Sequence, residues 1–191
     1  MVIPASKYMT PEEYLAFEAA SDEKHEYSDG YIYDMAGASI AHNFVVTNLI
    51  RDIGSFLKNK ECHVLPSDMR ITIPKFTSYF YPDVTIFCGE LEKQQDVFDT
   101  LTNPSVIIEV QSKSTRGVDK GMKLFKYMQI QSLKEYIIIE TDDYSVQTVV
   151  RQDDQTFRMI YALGIDSELF IDTIQMHLPL KDIYYMVSLE K

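Results

Sequence analysis

Two acidic residues stand where a carboxylate is costly. Asp83 lies in Tyr81-Pro82-Asp83-Val84-Thr85-Ile86, and Glu109 in Val106-Ile107-Ile108-Glu109-Val110-Gln111. Both runs are apolar and β-branched, the pattern of a buried strand. A charge there must be paired, hydrogen-bonded or bound to a metal. Two of them at similar places in neighbouring strands point to a shared task. The simplest is holding one hard divalent cation, Mg²⁺ or Mn²⁺, which takes oxygen ligands and keeps part of its water shell. Such an ion can activate a water and offset charge building on a phosphate. Gln111 is two residues beyond Glu109, so on a strand both face one side, about 7 Å apart. Gln111 could orient a water but supplies no charge. Taken alone, each acid has an ordinary explanation: Glu109 could pair with a buried Lys or Arg, and Asp83 after Pro82 fits strand-entry chemistry.

The elements that must position these residues follow from local patterns. Thr10-Pro11-Glu12-Glu13 is a helix start with a cap, a proline at the first helical position and a capping box, and the helix should run to about Ala20. Ser28-Asp29-Gly30 signals a turn before a strand over Tyr31–Met35. Val45, Val46, Leu49, Ile53, Phe56 and Leu57 recur at helical spacing, predicting a long helix from Ala38 to Lys58. Strands are expected around Cys62–Leu65, Arg70–Ile73, Val84–Phe87 and Val106–Val110, with Pro82 at a strand start or edge. Ser112 to Asp119 reads as a polar loop, and Lys120 to Gln131 as a helix with Met122, Phe125 and Met128 on one face. Further strands are expected over Glu135–Glu140, Ser145–Arg151 and Thr156–Tyr161, while Ile171 to Leu189 has no clear pattern. No repeat or linker interrupts the chain, so residues 1–191 read as a single α/β domain.

The ordered set of motifs resembles the Uma2 family of the PD-(D/E)XK nuclease superfamily. Tyr81-Pro82-Asp83, Ile108-Glu109-Val110-Gln111-Ser112-Lys113-Ser114-Thr115-Arg116, and Asp119 with Lys123 and Tyr127 carry the resemblance. It extends to Glu26-Tyr27-Ser28-Asp29-Gly30, to Met35-Ala36-Gly37-Ala38-Ser39 with His42, and to Leu133-Lys134-Glu135-Tyr136. In all it covers roughly residues 8 to 150. The resemblance implies a restriction endonuclease-like fold, a mixed central β-sheet flanked by α-helices. It also implies that Asp83 and Glu109 are the metal-binding acids and Glu26 a further acidic site residue. The superfamily lysine would stand at position 111, where this chain has Gln111. Uma2-like sequences also lack it there, and a downstream helical lysine, here Lys123, appears in its place. The family usually reads Ser-Pro-Ser-Thr where this chain reads Ser112-Lys113-Ser114-Thr115, so Lys113 is a second candidate for the catalytic ammonium, ranked below Lys123. His42 shares a helix edge with Val45, Val46 and Leu49 and reads first as a core histidine, with a supporting role at the site as the alternative.

Composition narrows the classes. The chain has 191 residues, 46% of them hydrophobic, enough for a full core. No 18-residue apolar run predicts a membrane span. The N-terminal residues lack a signal-peptide core. Cys62 and Cys88 match no metal-site spacing and read as reduced core thiols of a cytoplasmic protein. A net charge of −11 opposes general binding to polyanions but leaves room for a local basic stretch, here Lys113, Arg116, Lys120, Lys123 and Lys126. Gly-x-Ser-x-Gly and Gly-rich phosphate loops are absent, which removes serine-hydrolase and nucleotide-fold readings. The leading expectation is a metal-dependent endonuclease acting on DNA. The alternative is a non-catalytic nucleic-acid or protein binding module that keeps the nuclease fold. A third class is a homo-oligomer, such as a homodimer, with a tyrosine-rich contact surface, since the chain has 13 Tyr and no Trp.

Overall fold

The computed structural model describes residues 8–35, 37–94, 100–111, 119–153 and 156–189. Helix α1 (Pro11–Ala20) begins as expected: the Thr10 hydroxyl accepts from the Glu13 amide while the Glu13 carboxylate accepts from the Thr10 amide. Strands β1 (His25–Ser28) and β2 (Tyr31–Asp34) form a hairpin whose turn holds Asp29 and Gly30 at positive φ. Gly30 sits with φ +91 against the Tyr8 ring, a place no side chain would fit. Helix α2 (Ile40–Leu57) follows, capped by Ser39.

Strands β3 (Cys62–Pro66), β4 (Arg70–Ile73), β5 (Ser78–Phe80), β6 (Val84–Cys88), β7 (Thr100–Leu101) and β8 (Val106–Gln111) come next, then helix α3 (Asp119–Tyr127). Strands β9 (Glu135–Glu140), β10 (Ser145–Arg151), β11 (Phe157–Leu163), β12 (Glu168–Ile171) and β13 (Met176–Pro179), and the short helix α4 (Leu180–Ile183), complete the order. A six-stranded sheet runs β11-β10-β9-β8-β6-β3, with β8 and β9 parallel and the other pairs antiparallel. A five-stranded sheet runs β2-β1-β5-β4-β7, and β12 pairs with β13.

The strand period of two divides the core. Val106, Ile108 and Val110 of β8 join Ile137 and Ile139 of β9 against Val45, Leu49 and Ile53 of α2. Ile107 and, from β9, Tyr136 and Ile138 face the other way, toward Ile71, Phe80 and Leu101 of the second sheet and Tyr127 of α3. Glu109 therefore belongs to the face that meets the second sheet and α3. The chain passes from one sheet to the other between β5 and β6, through Tyr81, Pro82 and Asp83. No helix among the described residues is long and apolar enough to cross a membrane.

Several expectations change. Cys62 and Cys88 are joined in a disulfide rather than separate reduced thiols. Antiparallel pairing of β3 with β6 sets the two opposite each other in register, a relation that 26 residues of intervening sequence conceal. The third long helix ends at Tyr127 instead of Gln131. There the Arg151 guanidinium takes the carbonyls of Met128, Ile130 and Leu133, holding the chain in a turn. In the unpatterned C-terminal stretch, the buried Glu135 carboxylate accepts from the amides of Asp172 and Thr173 at 3.1 and 2.5 Å and from the Thr173 hydroxyl, fixing a 3-10 turn between β12 and β13. Strands β1, β5 and β7 carry too little pattern of their own to be seen in sequence; Ser78–Phe80 and Thr100–Leu101 are held by their neighbours.

Candidate active site

Register brings the two acids together. In the β6–β8 ladder Val84 faces Ile108, so one residue further Asp83 stands opposite Glu109. Asp83 lies in a bend just before β6, not within a strand, and this frees its carboxylate to close the end of the ladder. Its Oδ2 accepts from the Val110 amide at 2.7 Å. Its Oδ1 lies 3.1 Å from Nε2 of His42, from the first turns of α2. Burial pulls the His42 pKa down, but the hydrogen bond to Asp83 and the charges of Asp83 and Glu109 prevail and leave it above 6.5.

Glu109 is the buried member of the pair. The Tyr127 hydroxyl, one turn beyond Lys123 on α3, donates to its Oε1 at 2.8 Å. The Lys123 ammonium lies 3.4 Å from the same oxygen and 2.8 Å from Oε1 of Glu26 on β1. The Tyr81 amide also donates to Glu26, at 3.4 Å. The Glu109 pKa is raised to about 7, chiefly by burial, with the charges of Asp83 and Glu26 adding to the rise and Lys123 and the Tyr127 hydrogen bond opposing it. Burial pulls the Lys123 pKa down, yet Glu109, Glu26 and Asp83 together leave it above the usual lysine value, so it stays an ammonium. Tyr127 is pushed well above 10 by burial and by Glu109, which keeps it a phenol that donates.

The structure thus gathers Asp83, Glu109, Lys123 and Glu26 at the seam between the two sheets, under the first residues of α3. Gln111 continues the Glu109 face, and its amide oxygen is buried with no hydrogen-bond partner among the described residues. Lys113 and the rest of the 112–118 stretch, including Arg116, lie outside the described residues. Two residues take on more than the sequence suggested. His42 is held against Asp83, and its second ring nitrogen is buried without a partner among the described residues. Tyr127, part of the motif and four residues beyond Lys123, holds Glu109. Its spacing of four from Lys123 was the available signal, since residues four apart share a helix face.

The donor set suits a hydrated hard cation. Asp83 and Glu109 offer carboxylate oxygens, Gln111 an oxygen with no hydrogen-bond partner among the described residues, and two facing acids, one of them buried, place negative charge that a cation would offset. Among the described residues no three His, Cys, Asp or Glu side chains cluster as a metal cage. A site of two carboxylates would be completed by water, as Mg²⁺ prefers.

Comparison with known proteins bears on the family and the fold. The model of the Uma2 family, described as "Putative restriction endonuclease", matches residues 11–170. The uncharacterized protein sll1609 of Synechocystis sp. is 35% identical over 169 residues, covering 88% of this chain and 96% of that protein. A second uncharacterized Synechocystis protein, slr1290, is 32% identical over 146 residues, 76% of each chain. Among solved structures, a "putative nuclease belonging to DUF820" from Anabaena variabilis ATCC 29413 shares the fold, with a TM-score of 0.75 over 92% of this chain and 97% of that one, at 17% identity. The mixed α/β architecture is therefore a nuclease-like one, and the chain belongs to the Uma2 family.

Proposed function

We propose that this protein is a divalent-metal-dependent endonuclease that hydrolyses phosphodiester bonds in DNA. The observation that carries the reading is the convergence of Asp83, Glu109 and Lys123, two acids and one ammonium from three separate elements. Asp83 and Glu109, with the Gln111 amide oxygen, would hold Mg²⁺ or Mn²⁺. Such an ion supplies a nucleophilic water at neutral pH and offsets charge on the phosphate oxygens.

The chain's own residues do the rest. His42 and the Val110 amide orient Asp83; the Tyr127 phenol orients Glu109. Glu26 holds the Lys123 ammonium beside Glu109, where its charge would face a phosphate approaching the acids. Residues 1–191 act as one such domain in this reading, supported by the shared core of the two sheets.

The test is cleavage of plasmid and single-stranded DNA with Mg²⁺ or Mn²⁺ by wild type, Asp83→Ala and Glu109→Ala. Each variant should lose at least about 100-fold in rate. Equal activity in all three would overturn the mechanism. The second reading, a binding module without catalysis, draws on Gln111 at the strand lysine position and on the net charge of −11. Calorimetry with Mn²⁺ separates the two: no binding at millimolar metal favours the module.

A further inference from the structure

The two edges of the six-stranded sheet are built differently. Strand β3 is five residues long, is tied to β6 by the Cys62–Cys88 disulfide and ends at Pro66, which has no amide to donate. The proline is a device that blunts an edge. Strand β11 has none. It runs seven residues, Phe-Arg-Met-Ile-Tyr-Ala-Leu, in unbroken register with β10, without Pro, Gly or bulge and with Arg158 as its single charge. It leaves large apolar side chains in water, from 40% exposure at Phe157 to 64% at Leu163, with Met159, Ile160 and Tyr161 between.

The hydrogen-bond phase says which backbone groups are free. Gln152 donates to the Thr156 carbonyl and Gly164 to the Tyr144 carbonyl, so the even-numbered residues of β11 bond to β10. Alternation then turns the amides and carbonyls of Phe157, Met159, Tyr161 and Leu163 away from the sheet. The Leu163 carbonyl accepts from the Ser167 hydroxyl. Phe157, Met159 and Tyr161 remain, and no strand among the described residues pairs with them.

We propose that β11 pairs with β11 of a second copy of this chain, antiparallel about a two-fold axis at Met159. The occupant is a second copy because this strand complements itself. The three residues with free backbone groups are spaced so that Phe157 faces the partner's Tyr161 and Met159 faces the partner's Met159. Both are apolar pairs on one sheet face. The single charge, Arg158, falls opposite the partner's Ile160, so no like charges meet in the ladder despite the acidic chain. Five side chains at about half exposure leave on the order of 500 Å² of apolar surface in water per copy, and pairing covers the part of it that faces the partner strand. The proposal does not depend on catalysis.

Sedimentation of the full chain from micromolar to several hundred micromolar tests it. Wild type should approach twice the 22.1 kDa of the chain. Met159→Lys and Met159→Glu should each stay monomeric, with dimer dissociation constants raised at least tenfold and far-ultraviolet circular dichroism spectra like those of wild type. Mixed in equal amounts they should regain the dimer mass, since position 159 meets itself across the axis. In wild type, amide exchange at Phe157, Met159 and Tyr161 should slow as concentration rises. A wild type monomeric throughout, a Met159→Lys dimer, a mixture that stays monomeric, or exchange independent of concentration would each overturn the proposal.

Discussion

At the scale of single residues, the site is a problem in placing like charges. Asp83 and Glu109 face each other across a ladder, and Glu109 is buried, so its proton is held up to about pH 7. The unfolded chain releases that proton near the ordinary value of 4.5. Between these limits the native state binds more protons than the unfolded state, so stability falls as pH rises. The contribution is full below about 4.5 and is lost once pH passes about 7. Urea titrations at pH 5 and pH 8 should show a smaller loss for Glu109→Gln than for wild type; an equal loss would contradict the assignment. Lys123 works in the opposite sense. Removing it leaves Glu26 and Glu109 without their cation, and a buried acid so exposed takes up a proton rather than stay charged.

At the scale of elements, each site residue arrives on a segment held by something else. Lys123 and Tyr127 come on α3, whose exit is held by Arg151 of β10 gripping three carbonyls. Glu26 comes on β1, whose hairpin is packed through Tyr27 against Tyr14 of α1, with ring centroids 4.8 Å apart. The C-terminal hairpin is held by Glu135, a buried carboxylate whose partners are backbone amides and a hydroxyl. Glu135→Ala should destabilise the protein by about 3 kcal/mol, because it strands buried donors that had a charged acceptor. Chemical denaturation reads the loss; a change below about 0.5 kcal/mol would mean that the turn holds without it.

At the scale of the whole molecule, two sheets share one apolar interior, and the candidate site opens where the chain crosses between them. The disulfide ties β3 to β6 across a separation of 26 residues. Reducing it, or replacing both cysteines with serine, should lower unfolding free energy by about 3 kcal/mol while leaving the fold intact. A thermal melt with and without reductant measures this, and identical melting temperatures would show the crosslink to be energetically idle.

Much of this was written in local pattern. The helical spacing of Val45, Leu49 and Ile53 marked α2, β-branched runs marked β6, β8, β9 and β10, and acids inside apolar runs marked Asp83 and Glu109. Those features depend on residues within a few positions of one another, where burial periodicity and capping act directly. Tertiary structure alone decided that Lys123 reaches Glu109, that His42 turns to Asp83, that Cys62 meets Cys88, and that β11 lies at a sheet edge. Each of these rests on register between segments far apart in the chain. Register is set by the collective packing of a whole sheet face, and no short stretch of residues contains it.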